Sequence, residues 1–175
     1  MDSKNAKNAN YLQIDNSVKR TSGADGVIVV PSREAWDRFV WTRKLFGIKP
    51  KEGYFIWIQK QINRPLSTCI TIASKKISQS LNNLLVIEPG IKAEANVLCN
   101  ALENNLCGKH VAKGKLLLKK GASLSYNHIH KWGEKDYVNP DYEFFLEEGS
   151  RLNYNYQNLL PPENLRLKTT IFSKK

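Results

Sequence analysis

LVIEPGIKAEAN (85–96), LLLKKGASLSYN (116–127) and FFLEEGSRLNYN (144–155) align with one another without a gap. Each reads three apolar residues, two turn residues, a glycine and then an alternation of inward and outward types. Gly90, Gly121 and Gly149 stand 31 and 28 residues apart. A degenerate fourth copy, IWIQKQINRPLS (56–67), has Gln61 in the glycine position, 29 residues before Gly90. Glycine at a recurring place supplies a backbone angle that other residues resist, which suits a corner. One coil of this length cannot bury its apolar face alone, so neighbouring coils stack and share an interior. The spacing suits two or three strands with corners per coil. The prediction is an all-β parallel β-helix over residues 53–175, with Gly90, Gly121 and Gly149 in one column and Val86, Leu117 and Phe145 in register. An all-β meander could show similar glycine spacing.

Upstream the pattern changes. Residues 1–22 are polar and rich in Asn and Lys, and read as a mobile arm. GVIVV (26–30) is a β-branched run, expected as a short strand. Ser32 after Pro31 can cap a helix. Trp36, Phe39, Val40 and Arg43 then recur at helical spacing, with Gly47 as a fitting end. Residues 33–46 therefore predict one amphipathic helix. The organisation expected is residues 1–52 as arm, strand and helix, and 53–175 as the β-helix core.

Composition excludes several classes. Apolar residues make up 41% and charged residues 25%, which argues against wholesale disorder. No apolar run approaches the ~18 residues a bilayer needs, and the N-terminus has no signal-like apolar region. Three cysteines, without CxxC spacing, argue against a disulfide framework or closed zinc site and suggest a reducing, cytoplasmic setting. The net charge of +11 raises the question of a polyanion partner. The densest basic stretch, Lys109, Lys113, Lys115, Lys119 and Lys120, lacks interleaved aromatics, and no nucleic-acid-binding motif is present. It reads as a solvated face or as contact with an acidic protein. No G-x-S-x-G, Walker or G-x-G-x-x-G motif occurs, so the chain is not expected to be an enzyme.

Certain stretches carry a family likeness. GYFIWIQKQINRPLSTC (53–69), SQSLNNLLVIEPGIKAEANVLC (78–99) and KGKLLLKKGASLSYNHIHKWGE (113–134), with VIVVPSREAWDRF (27–39) upstream, resemble successive stretches of SufB/SufD proteins. The most specific points are the apolar triplet with ExG followed nine residues later by Cys99, and the His-Lys-Trp tripeptide at 130–132. The resemblance implies a right-handed β-helix and a part in iron–sulfur cluster assembly. It also implies a transient iron–sulfur cluster as cargo, and a SufC-type ATPase and a SufB/SufD-type subunit as partners. Homodimerisation through the β-helix is expected, with a second chain covering the region Leu165–Phe172. The family's later coils and helical region lie beyond the stretches matched here, and Gln61 departs from the usual corner glycine.

On the resemblance, Cys99 corresponds to a sulfur-accepting cysteine. Its parity with Ala93, Ala95 and Val97 points it inward, where it could also be a small buried hydrophobe. His128, His130 and Trp132 share a strand face with Leu124 and Tyr126. Cys99 and His130 each lie nine residues after their corner glycine, so the register predicts a stacked inward pair able to share a metal or cluster, with His128 beside it. His130 could equally be a hydrogen-bonded interior histidine, and Trp132 a core or rim aromatic. His110 is expected to be solvated in a basic loop, and Cys69 and Cys107 to be structural. A rival reading takes Gly121, His128, His130 and Glu134 as an approximate cupin metal motif, but no later histidine follows.

Overall fold

The computed structural model describes residues 8–174. They form a β-solenoid of about four turns, with two strands per coil divided between two facing sheets. The elements are β1 (Asn10–Ile14), β2 (Ser17–Ser22), β3 (Val27–Pro31), α1 (Ser32–Arg38), α2 (Thr42–Phe46), β4 (Tyr54–Ile58), β5 (Leu66–Ile72), β6 (Ser78–Ile87) and β7 (Lys92–Ala101). They continue with β8 (Lys109–Leu118), β9 (Ser123–Lys131), β10 (Tyr137–Leu146), β11 (Arg151–Leu160), β12 (Asn164–Leu165) and β13 (Lys168–Ser173). One sheet runs β11-β9-β7-β5-β1-β2 and the other β12-β10-β8-β6-β4-β3, with β13 also on β10. Pairing between successive coils is parallel throughout. No helix among the described residues is long and apolar enough to cross a membrane.

The expected corner column is present. Gly90, Gly121 and Gly149 all have φ near +70°. The Gly90 N–H donates to the Lys120 carbonyl, and the Gly121 N–H donates to that of Glu148, each at 2.9 Å. Val86 pairs with Leu117 and Leu117 with Phe145, as the repeat requires. The fourth corner uses other chemistry. The Gln61 side chain accepts from the Lys92 N–H at 3.0 Å and donates to the Lys92 carbonyl at 2.7 Å. Its amide does what a backbone peptide would do in a parallel ladder. Beside the glycine column, Glu88 accepts from Trp57 Nε1 of the preceding coil and from Lys119 of the following one. Three coils are thereby joined at one edge.

Inside, the alternation is sustained on both sheets. Ala95, Val97 and Cys99 point inward from β7, and Ala112, Leu116 and Leu118 from β8. The outward row on β8 carries Lys109, Lys113 and Lys115. Lys115 pairs with Glu143, Lys119 with Glu88 and Lys120 with Glu148, so much of the basic stretch is neutralised along the stack.

Two expectations upstream are corrected. The arm expected over 1–22 is ordered from Asn10 onward, while residues 1–7 lie outside the described residues. β1 pairs in parallel with β5, and β2 folds back antiparallel on β1. Tyr11 and Gln13 face inward from this rung, with the Tyr11 hydroxyl donating to Gln13 Oε1 at 2.7 Å. The polar Gln13 at an inward position hides the alternation from a hydropathy reading. β2 places Lys19 and Arg20 on an exposed edge, which discourages further strand pairing. The single helix expected over 33–46 is broken into α1 and α2. Phe39 leaves helical geometry (φ −119°, ψ 91°), and Thr42 Oγ1 donates to the carbonyls of Phe39 and Ala35. The break lets Phe39 and Trp41 pack on Phe55 and Trp57, whose ring centroids lie 5.0–5.8 Å away. Val40, expected on the buried face, is 68% exposed. Gly47 closes α2 as expected, with its N–H donating to the Arg43 carbonyl.

Gly114 shows how tightly adjacent coils fit. A Cβ built there would lie 2.3 Å from the ring of Tyr142, its register partner on the next coil. Replacing Gly114 with Ala is expected to cost about 1–3 kcal/mol through overpacking. Urea denaturation of the variant would check this, and an unchanged midpoint would contradict the close contact.

Candidate functional site

The interior between β7, β8 and β9 carries the chemistry. In the register, Cys99 on β7 lies opposite His130 on β9, and Val97 opposite His128, as the equal offsets from Gly90 and Gly121 demand. Parallel strands lie about 4.8 Å apart, so side chains in such a pair meet face to face. All three groups are buried. One ligand atom from each of Cys99, His128 and His130 lies within 4.8 Å of the others. The nearer contact of the thiol is with His128, whose Nε2 is 3.8 Å from Sγ. The two imidazoles stand edge to face with centroids 4.4 Å apart. Trp132 closes one side, 5.6 Å from His130 and buried at the corner opposite the glycine column.

A third histidine faces this group, and it corrects an expectation. His110 is not solvated in a loop. It is buried on β8, in the inward row shared with Ala112, Leu116 and Leu118. The lysines at 109, 113 and 115 are of the opposite parity, and that alternation was the available signal. His110 lies 4.7 Å from Trp132 and 6.3 Å from His130 by ring centroid.

The partners around the imidazoles fix how they can act. Gln79 Nε2 donates to the carbonyls of Asp15 and Thr71, which turns its Oε1 toward His110. His110 Nδ1 therefore donates to Gln79 Oε1, at 2.9 Å, and its Nε2 carries a lone pair with no partner. His130 Nδ1 is 3.0 Å from the Tyr156 hydroxyl, and its Nε2 also lacks a partner. His128 Nδ1 is 3.4 Å from the Tyr154 hydroxyl. Trp132 Nε1 is a third buried polar atom left unpaired here. Gln79, Tyr154 and Tyr156 were missed as site residues, although the repeat pairs Gln79 with His110, Tyr154 with Tyr126 and Tyr156 with His128 in register.

Burial dominates the electrostatics. It pushes the Cys99 thiol far up, and no imidazolium offsets it, because burial also holds the histidines neutral. His110 is pulled down to about 3 and His130 to about 4, and His128 lies well below its usual value, with His130 and His110 nearby adding to the effect of burial. The resting site is thus a neutral thiol among three neutral imidazoles. Neutral imidazole nitrogens and a thiol that loses its proton on binding are the donor types that late first-row divalent ions take.

Curated proteins similar to this chain carry the name "Iron-sulfur cluster assembly SufBD family protein". One from Archaeoglobus fulgidus is 25% identical over 192 residues, taking in 98% of this chain and 51% of that protein. Another, from Methanothermobacter thermautotrophicus, is 20% identical over 184 residues, covering 93% of this chain and 45% of that one. The chain is homologous to the SufB/SufD family. It spans about half the length of the curated SufBD relatives it matches. No family model matches it.

The cupin reading fails. Gly121 belongs to the corner column of a parallel solenoid, and Glu134 is exposed on the far corner, away from the interior face that carries His128 and His130. Cys69 is half-buried and Cys107 exposed, and neither joins the cluster.

Two expected outcomes follow from burial. In the native protein Cys107 should react rapidly with an aromatic disulfide reagent while Cys99 reacts far more slowly, at the rate of local opening, until denaturant is added. Mass mapping of the labelled thiols checks this. In chelated protein, the unfolded chain takes up protons on its histidines near pH 6.5 before the folded chain does. The stabilising difference is whole above about pH 6.5 and is lost progressively toward pH 3. Thermal melts should therefore fall between pH 7 and pH 5, and His110→Gln should flatten that slope.

Proposed function

We propose that this chain is a SufB/SufD-like component of iron–sulfur cluster assembly, receiving sulfur or iron at Cys99 and having no turnover of its own. The observation that carries the reading is the position of Cys99, buried beside His128 and His130 in a solenoid homologous to SufBD proteins. ATP hydrolysis is assigned to a SufC-type ATPase, and a further SufB/SufD-type subunit or a second copy of this chain is the structural partner. Exposed Leu159, Leu160, Ile171 and Phe172 on β11 and β13 offer such a partner an apolar edge. The cytoplasm, where Cys99 stays reduced, is the compartment this chemistry needs.

Sulfur transfer balances without an added oxidant. A donor persulfide presents its outer sulfur, and Cys99 Sγ bonds to it as the donor's S–S bond breaks. The donor leaves as a thiol, and Cys99 becomes a persulfide. The high resting affinity of Cys99 for its proton means that this step needs deprotonation; burial holds His128, 3.8 Å away, neutral, so the proton ends on the departing donor sulfur. Iron and sulfide would then be the cargo of the site.

The test is anaerobic loading with ferrous iron, a cysteine desulfurase and cysteine, followed by iron and sulfide assay and pull-down with a SufC-type ATPase. Cys99→Ser should drop loading to background, His130→Ala should reduce it, and Cys107→Ser should leave it unchanged. Loading that survives Cys99→Ser would remove the basis of the proposal.

A further inference from the structure

The geometry points to a mononuclear metal site in the solenoid interior, made by Cys99 Sγ and the Nε2 atoms of His110, His128 and His130, that takes one tetrahedral divalent ion, zinc or ferrous iron. It deepens the iron–sulfur reading, on which it rests for the use of the ion, while the site itself stands on the arrangement of these side chains.

Three observations converge on it. Each imidazole has its Nδ1 engaged from outside the cluster, His110 by Gln79, His128 by Tyr154 and His130 by Tyr156. That is the pattern of metal-bound histidine, in which one nitrogen is anchored by a hydrogen bond and the other is free to ligate. The Gln79 carboxamide is itself held by two carbonyls, so His110 can only donate from Nδ1 and must present a lone pair at Nε2. Two of the three Nε2 atoms are buried without any partner, and the third faces the thiol. Buried imidazole nitrogens are rarely left orphaned, and each such case calls for a reason.

Distances fit a small ion. Ligand atoms around a tetrahedral centre with metal–nitrogen bonds near 2.0 Å and a metal–sulfur bond near 2.3 Å lie about 3.3–3.5 Å apart. Cys99 Sγ and His128 Nε2 stand at 3.8 Å, a few tenths of an ångström wider. His130 falls within the 4.8 Å triangle. His110 lies outside that triangle, with its ring centroid 6.3 Å from that of His130, and its side chain must move inward to complete the set. The donor set also decides the nuclearity. One thiolate and three imidazoles suit a single borderline ion, whereas iron–sulfur clusters are held chiefly by several thiolates. Binding releases the Cys99 proton, so an ion gives this thiol its charged form without an imidazolium beside it. Tyr154 and Tyr156, half-buried, stand on β11, the end strand of that sheet.

Cobalt(II) is the probe. Added to chelator-stripped, reduced full-length protein, it should bind one per chain and give tetrahedral d–d bands with a thiolate-to-cobalt charge-transfer band. Zinc should displace it one for one. Cys99→Ser should abolish the charge-transfer band. His110→Gln should weaken cobalt binding at least about 100-fold, and Gln79→Met, which removes only the anchor, about 10–100-fold. Circular dichroism and melts of each metal-free variant confirm the fold. A wild-type titration with no charge-transfer band overturns the site without any variant. So does cobalt affinity indifferent to His110→Gln, or cobalt retained beside added zinc. If cobalt fails while Cys99-dependent sulfide loading persists, this inference falls and the assembly role stands. If cobalt binds as described and sulfide loading is absent, the site stands and the assembly role falls.

Discussion

Register between coils is the constraint on which everything else in this molecule depends. In a parallel ladder a slip of one residue turns every inward side chain outward. Three devices prevent it here. The glycine column places the same backbone bend at the same point of each coil. Glu88 ties Trp57 and Lys119 across three coils. Gly114 leaves a notch that the Tyr142 ring fills from the next coil. Once these are set, offsets along the chain become positions in space. Cys99 and His130 meet because each stands nine residues past its glycine.

That arithmetic explains what was legible. Three ungapped repeats give the coil, the corner and the inward row, and hence Cys99, His128, His130 and Trp132 as neighbours. His110 was within its reach and was missed: it stands eleven residues before Gly121, as Gln79 does before Gly90 and Val138 before Gly149, and the three are in register on the other sheet. Its parity with Ala112 and Leu116 did mark it as inward, but the surrounding lysines suggested a loop. β1 has an alternation too, but with Gln13 in an inward place, and polar interior residues are invisible to a hydropathy pattern until their partners are known. The break between α1 and α2 depends on Phe39 and Trp41 finding Phe55 and Trp57, a tertiary contact that outweighs continuous helical periodicity.

The interior seals a set of polar groups. Tyr54 and Tyr126 share a hydroxyl contact, Asp136 accepts the N–H groups of Gly108 and Gly133, and Gln79 spans to β1, β5 and β8. These pairs are satisfied. The unsatisfied nitrogens gather around Cys99, His130 and Trp132. Buried polar groups without partners are costly, and the gathering of these nitrogens sets the cluster apart from the packed remainder of the core.

Gln61 has a consequence for how such a chain can change through time. Its carboxamide offers one donor and one acceptor, the same pair that a peptide group offers, and spends both on Lys92. The corner from 59 to 65 is thereby released from the backbone geometry that glycine imposes elsewhere. Residues can be added or removed there while the flanking strands keep their places, since a side chain and not the main chain holds the two levels together. A coil secured in this way can drift in length and sequence without disturbing the levels above it.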